Sequence, residues 1–416
     1  MSHAFTWSIA AITILLILVR PKRIPEAVWA CSGAGLLVLL QLIPFGKALA
    51  AVARGTDVYL FLTGMMLLAE LARREGFFDW LAAIAVKSAR GSRKRLFTLV
   101  YLVGIGVTTF LSNDATAVVL TPAVLAAVKK ARATPLPYLL ICAFIANAAS
   151  FVLPISNPAN LVVYASKMPP LLTWLRFFAL PSGLSIVATY IVLRLTSGKD
   201  LKGEMESNVD RPALSSAGRR AAYGIVGTGF ALILASAFNV DLGLPTFLAA
   251  LAATVLVTFE DHDAPLSIVK DVSWSVLPLV AGLFVLVEAL NGAGALTMSR
   301  TALQQSAAAT PLIGALASAF GVAFLSNVMN NLPVGLITGG AIHATKVPEL
   351  IRNALLIGVD LGPNLSVTGS LATILWLVAL RREGEEVGFW KFLRYGALVM
   401  PPALILAILA LLVTTR

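Results

Sequence analysis

Phe110-Leu111-Ser112-Asn113-Asp114-Ala115-Thr116 breaks an apolar run with four polar side chains, and the chain then carries no charge until Lys129. Phe324-Leu325-Ser326-Asn327-Val328-Met329-Asn330-Asn331 does the same, repeating Phe-Leu-Ser-Asn letter for letter. The apolar arms beside each polar stretch are roughly 13–15 residues, or about 20 Å of helix. That reach passes the middle of a hydrocarbon layer about 30 Å thick without crossing it. Both stretches therefore read as re-entrant helical hairpins, 96–127 and 311–342, with polar tips near the midplane. Backbone bared at that depth is tolerated only against protein or water, so such tips line a transport site.

Composition sets the class. Of 416 residues, 58% are hydrophobic and 13% charged, against about a quarter charged in a soluble domain. The fold class expected is an all-α polytopic membrane protein. Spans are expected at 5–19, 27–43, 57–72, 137–165, 178–193, 221–238, 246–259, 276–291, 353–380 and 397–413, ten crossings beside the two hairpins. No positive n-region precedes residues 5–19, which read as a retained first helix rather than a signal peptide. Segments 77–92 and 386–395 read as amphipathic helices lying on the surface. The net charge of +11 comes from Lys and Arg flanking spans, with no basic, aromatic-interleaved face for nucleic acid. Cys31 and Cys142 sit in apolar runs as small core residues, not as a disulfide framework. His3, His262 and His343 fall in loops, so no metal cluster or histidine relay is expected. No Walker A lysine pattern and no nucleophile–base pair appear, which argues against an ATPase or another enzyme and calls for no cofactor.

The chain divides into two similar halves, 1–195 and 221–416, joined by a polar linker at 196–220. Gly64-x5-Glu70-x5-Gly76 precedes the first hairpin and Gly282-x5-Glu288-x5-Gly294 the second, at identical spacing. The phase then slips by four residues before Phe-Leu-Ser-Asn. Placing the loop after the first span in the cytoplasm puts most of the 32 Lys and Arg inside, with the acidic loop 260–263 as the exception. Both termini then face outside, the linker is cytoplasmic, and the hairpins enter from opposite sides. The halves are thus inverted-topology repeats, as in many secondary transporters.

After each hairpin a long apolar run is broken midway, at Pro154-Ile155-Ser156-Asn157-Pro158-Ala159-Asn160 and at Asp360-Leu361-Gly362-Pro363-Asn364 through Ser370. Proline removes a donor and clashes with the preceding turn, so each run reads as a discontinuous helix, with Asn157 capping a half-helix opened by Pro158. Structural kinks are the alternative. Ser112, Asn113, Thr116, Asn157, Asn160, Ser326, Asn327, Asn330, Asn331 and Ser370 are the candidate substrate-binding residues. Asparagine both donates and accepts, and no Lys or Arg sits at mid-span depth, so the set suits a compact, neutral polyhydroxyl solute. Asp114, Asp360, Glu70 and Glu288 are the candidate proton carriers, since a carboxylate inside a membrane is expensive when charged. Asp114 has a competing reading as a helix cap, and both glutamates have one as side chains that snorkel to the surface.

Four of these motifs carry a resemblance. Phe110-Leu111-Ser112-Asn113-Asp114, Met329-Asn330-Asn331-x-Pro333, Asp360-Leu361-Gly362-Pro363 and Gly369-Ser370-Leu371-Ala372-Thr373-Ile374-Leu375-Trp376 resemble the bacterial arsenite efflux permeases. Gly76-Phe77-Phe78-x-Trp80 adds to the match, which runs over roughly 60–415. The broader superfamily of ion transporters includes sodium-coupled dicarboxylate carriers. The resemblance implies two inverted repeats with re-entrant hairpins, and export of arsenite and antimonite across the inner membrane in exchange for protons, in some cases with a partner ATPase. An acidic residue stands in the family pattern where this chain has Asn147. Sodium-coupled carboxylate or sodium/proton transport on the same fold, and a passive pore, are the rival functions. Neutral trivalent arsenic is a trihydroxide, which suits an asparagine-rich pocket better than thiol capture by two isolated cysteines.

Overall fold

The computed structural model describes residues 2–164, 168–206, 213–259 and 264–415, and among these the fold is helical with no β-strand. Parts of the linker (207–212), the acidic loop 260–263 and the end of the expected span 137–165 lie outside the described residues. The first half runs α1 (Ser2–Val19), α2 (Glu26–Leu39), α3 (Phe45–Arg54), α4 (Thr56–Arg74), α5 (Phe77–Ser88) and α6 (Arg93–Phe110). A single turn, α7 (Asn113–Ala115), then continues through a widened turn at 116–120 into α8 (Thr121–Lys130), followed by α9 (Leu136–Ala148), α10 (Pro158–Tyr164) and α11 (Leu171–Thr196). The second half repeats this order of elements. It comprises α12 (Ser216–Ala237), α13 (Gly243–Thr258), α14 (Ala264–Asp271), α15 (Val276–Gly292), α16 (Ala295–Ala308), α17 (Pro311–Met329), α18 (Asn331–Ala344), α19 (Glu349–Leu361), α20 (Leu371–Arg382) and α21 (Phe389–Thr414).

Among the described residues, α11, α12, α17 and α21 are individually long and apolar enough to cross a membrane, and the bent pairs α3–α4 and α15–α16 raise that to six. Helices α1, α2, α9 and α13 are shorter and apolar. Both hairpins form. Their first arms, α6 and α17, have 18 and 19 residues, longer than expected.

One expectation about register is corrected. The offset that carries Gly64, Glu70 and Gly76 onto Gly282, Glu288 and Gly294 also carries Arg93, the start of α6, onto Pro311, the start of α17, and Asn113 onto Asn331. The phase does not slip. The second Phe-Leu-Ser-Asn lies inside the unbroken helix α17, a turn before the tip, and the chain breaks only at Asn330. Gly76 and Gly294 both hold positive φ, 69° and 101°, in the turns before α5 and α16, where a side chain would be strained.

A second correction concerns 386–395. It is no separate surface segment, because α21 runs unbroken from Phe389 to Thr414 with Pro401 and Pro402 inside it. Phe392 is fully buried, stacked on Phe144 at 4.9 Å and edge-on to Trp376 at 5.7 Å. That aromatic packing carries the helix past Lys391 and Arg394. Segment 77–92 contains α5, whose Phe78, Ala82, Ala85 and Val86 are buried against α6 and α8. Helices α3, α14 and α16 were not expected.

The halves interleave. Helix α4 packs on α13 and α15 on α2, so each half supplies one partner of both pairs. Gly64 permits the first contact and Gly282 the second. A Cβ on Gly64 would lie 2.7 Å from the Thr246 carbonyl, and one on Gly282 2.8 Å from the Ala30 backbone. Helices α1–α4 and α12–α15 form one body; the hairpins with α5 and α16 packed on them, the broken helices, α11 and α21 form the other, with α11 lying along α21.

Leucine at position 64 or 282 should force these pairs apart and destabilise the fold by about 1–3 kcal/mol, lowering the melting temperature of the purified protein. Gly321→Ala, whose Cβ meets nothing within 4 Å, should leave it unchanged.

Candidate functional site

The two hairpin tips and the two helix breaks converge, and side chains satisfy the backbone each break lays bare. At the first tip Ser112 Oγ accepts from the Ala115 amide at 3.1 Å. At the second, Asn330 adopts φ 74° and its side chain accepts from the Leu332 amide at 3.3 Å. The Asn331 amide donates to the Gly369 carbonyl at 2.9 Å, tying this tip to the second helix break. Ser156 Oγ donates to the Thr109 carbonyl at 3.0 Å, tying the first break to the first hairpin. The two breaks also meet each other. Asn157 Nδ2 donates to Asp360 Oδ1 at 2.7 Å, and Asn147 Nδ2 to Asn364 Oδ1 at 3.0 Å.

Asn113, Asp114, Asn157, Asn331 and Ser370 line one small cavity of about 10 Å³, closed from the other body by Leu62 and Val276. It adjoins a cleft of about 90 Å³ that shares Leu62, Asp114, Pro158 and Val276 and runs past Ser112 to Glu70 and Asp271. No basic side chain is among the lining residues of the cavity or the cleft. Asp114 is half-buried in the cleft, and no hydrogen bond or ion pair reaches its carboxylate among the described residues. Asp360 is fully buried behind Asn157, and its second oxygen has no partner within hydrogen-bond distance and geometry among the described residues. The Asn113 side-chain oxygen is likewise buried and without a partner among the described residues.

The remaining expected site residues stand elsewhere. Thr116 pairs with Thr108 at 2.8 Å inside the first hairpin. Asn160 Nδ2 donates to the Ser150 carbonyl at 2.9 Å, also reaching those of Leu153 and Pro154. Ser326 bonds back to the Val322 carbonyl at 2.9 Å, within its own helix. Asn327 Nδ2 holds the Ala323 and Gly362 carbonyls, at 2.8 and 2.9 Å, while its oxygen accepts from Ser366. Asn330 faces a separate small cavity. Glu70 is paired with Arg73, and Glu288 with Arg54. Glu288 lines a vestibule of about 360 Å³, with Asp57, Asp241 and His343, that shares no lining residue with the central cavity.

Two features escaped the sequence reading. Asn147 and Asn364 clasp the breaks together, and Asn364 Nδ2 also donates to the Phe144 carbonyl at 3.1 Å. Glu26 is buried, 3.0 Å from Arg20, and lines the same cavity as Asn330. The signal for Glu26 was weak because Arg20-Pro21-Lys22-Arg23-Ile24-Pro25 reads as a solvated loop.

The profile of the citrate transporter family CitMHS matches residues 13–381. The chain belongs to this family. The chain is 27% identical to the arsenical pump membrane protein of Escherichia coli K12, over 97% of each chain. The arsenical pump membrane protein of Yersinia enterocolitica is also 27% identical, again over 97% of each. An uncharacterized transporter of Mycobacterium tuberculosis H37Rv matches at 27% identity over 96% of this chain and 97% of its own. The YdaH transporter of Alcanivorax borkumensis, whose crystal structure shows an unusual topology, shares the fold with a TM-score of 0.57. Its identity is 16%, over 89% of this chain and 87% of its own. This CitMHS member is therefore a multi-pass bacterial membrane transporter.

Asn157→Leu should leave the buried Asp360 without its donor and destabilise the protein by about 1–3 kcal/mol. Asp360→Asn keeps an acceptor for Asn157 and should melt close to wild type. Equal melting of both variants would show that this bond does not hold the breaks together.

Proposed function

We propose that this transporter exports arsenite and antimonite, as neutral trihydroxides, in exchange for protons. The observation that carries the reading is the chemistry of the central cavity's lining; the space of about 10 Å³ takes no more than about one water, so Leu62 and Val276 must draw back to admit a solute. Asn113, Asn157, Asn331 and Ser370 offer donors and acceptors around Asp114, with no basic side chain among its lining residues. A tricarboxylate there would lie against Asp114 with no basic side chain among the lining residues to offset its charge, whereas a small neutral triol can hydrogen-bond Asn113, Asn157, Asn331 and Ser370 and rest against the apolar wall without a charge to desolvate. The arsenical pump relatives, aligned over 97% of each chain, support the same substrate.

On this reading the two halves are inverted repeats and the loop after α1 is cytoplasmic. The cleft reaching Glu70 and Asp271 then opens to the cytoplasm, as loading an exporter requires, and the vestibule at Glu288 faces outward. Asp114, in the cleft beside the cavity, exchanges the proton. Asp360 sets the position of Asn157. One proton moving inward through about 100 mV provides about 2.3 kcal/mol, or about fifty-fold accumulation of a neutral solute. That suffices without a partner ATPase.

The family's citrate description favours a second reading, sodium-coupled carboxylate transport, in which bound cations would offset the anion. The two separate in everted membrane vesicles given proton and sodium gradients independently. An acid-inside gradient should drive arsenite accumulation, a sodium gradient should not, and Asp114→Asn should abolish accumulation without loss of folded protein. Accumulation driven by sodium alone would overturn the proton reading. Non-saturating flux with no gradient would indicate a pore.

A further inference from the structure

Away from the central cavity, an apolar crevice of about 430 Å³ opens between α12 of one body and α5–α6 of the other. Phe77 and Leu81 line it from α5, Val107 and Phe110 from α6, and Ile225 and Phe230 from α12. Two further lining residues, Gly106 and Gly229, keep it open. A Cβ on Gly106 would meet nothing within 4 Å, and one on Gly229 only the Phe110 ring at 3.8 Å. In a membrane such a space is filled by hydrocarbon, and the charges at its mouth select which lipid supplies it.

Arg219, Tyr223, Val226 and Phe230 recur at helical spacing and form one stripe on α12. All four are exposed, the last three by 74%, 71% and 62%. Arg219 stands at the start of the span, and Ile233 marks the deep end of the crevice, about 21 Å further along the helix. Half a bilayer, headgroups included, is about 20–22 Å. The start of α12 abuts the turn after α4, where a Cβ on Gly218 would lie 2.9 Å from the Glu75 carbonyl. The charged groups gathered there are Arg73, Arg74, Glu75, Arg219 and Arg220. Arg73 is paired with Glu70, Arg74 with Ser267, and Arg220 reaches the Val257 carbonyl at 3.5 Å. Arg219 remains exposed. Asp79 lies two positions from both Phe77 and Leu81, on the opposite face of α5.

We infer that this crevice binds one acyl chain of an anionic phospholipid whose headgroup is held at Arg219. The lipid then bridges α12 and the first hairpin at the seam between the two bodies.

Native mass spectrometry of the full-length, delipidated protein tests it, with phosphatidylglycerol and phosphatidylcholine of identical chains supplied in equal amounts. One arginine at a membrane surface contributes about 1 kcal/mol toward an anionic lipid, or about a fivefold preference. Wild type should retain phosphatidylglycerol over phosphatidylcholine by that factor, and Arg219→Ala should bring the ratio near one. Gly229→Leu should reduce retention of both lipids by filling the crevice. Should that variant misfold, Gly106→Leu, placed in open space, makes the same test. Equal retention of the two lipids by wild type would overturn the inference, as would retention unchanged in Arg219→Ala or in the folded leucine variants.

Discussion

Breaking a helix inside a membrane bares amide and carbonyl groups that water cannot reach, at several kcal/mol for each one left unsatisfied. This protein breaks its chain at four places and brings all four together, so the requirement is concentrated in one region. It is met by short polar side chains. Asn160 gathers carbonyls at the first helix break, Asn327 holds that of Gly362 at the second, and Thr368 Oγ1 donates to the Asn327 carbonyl at 2.8 Å. Ser370 caps the half-helix that follows, accepting from the Thr373 amide at 3.1 Å. Most of the asparagines that look like a binding set are therefore engaged in holding irregular backbone. Asn113, Asn157 and Asn331 are the ones that line the central cavity.

The same constraint explains why the fold is built as two bodies. Broken helices require protein on every side, which the hairpins, α11 and α21 provide for one another. The other body gives the cavity a smooth apolar wall, Leu62 and Val276, from helices fixed by the close contacts at Gly64 and Gly282. All the polar lining belongs to one body and the closing wall to the other. Any displacement between the bodies therefore alters access to the cavity without disturbing the hydrogen bonds that form it.

The hairpins and breaks were legible in the sequence because polar clusters and prolines interrupt otherwise apolar runs. The exact tip of the second hairpin was not. Ser326 and Asn327 repeat the letters of Ser112 and Asn113, but a serine that bonds to the carbonyl four residues back continues a helix, and identity of letters does not report that. The glycine spacing carried the true register as far as Asn331. Helix α21 was misread at its start because Lys391 and Arg394 interrupt the apolar pattern, while the stacking of Phe392 on Phe144 is a long-range contact with no local trace. The pairings of Asn147 with Asn364 and of Asn157 with Asp360 join residues some two hundred positions apart, beyond the reach of any motif.

The two carboxylates illustrate how position divides roles that composition leaves equal. Both lie deep in the protein, both have asparagines near them, and neither forms an ion pair among the described residues. Asp360 is wholly enclosed and bonded to Asn157, so it meets the cavity only through that side chain. Asp114 opens on both the cavity and the cleft. On the exporter reading, a proton and a solute hydroxyl compete for the same Asp114 oxygens, since a protonated carboxyl offers one acceptor site fewer and one donor more. Competition at a single group is sufficient to couple the two fluxes. It requires no relay of charge through the apolar wall, and none is built there.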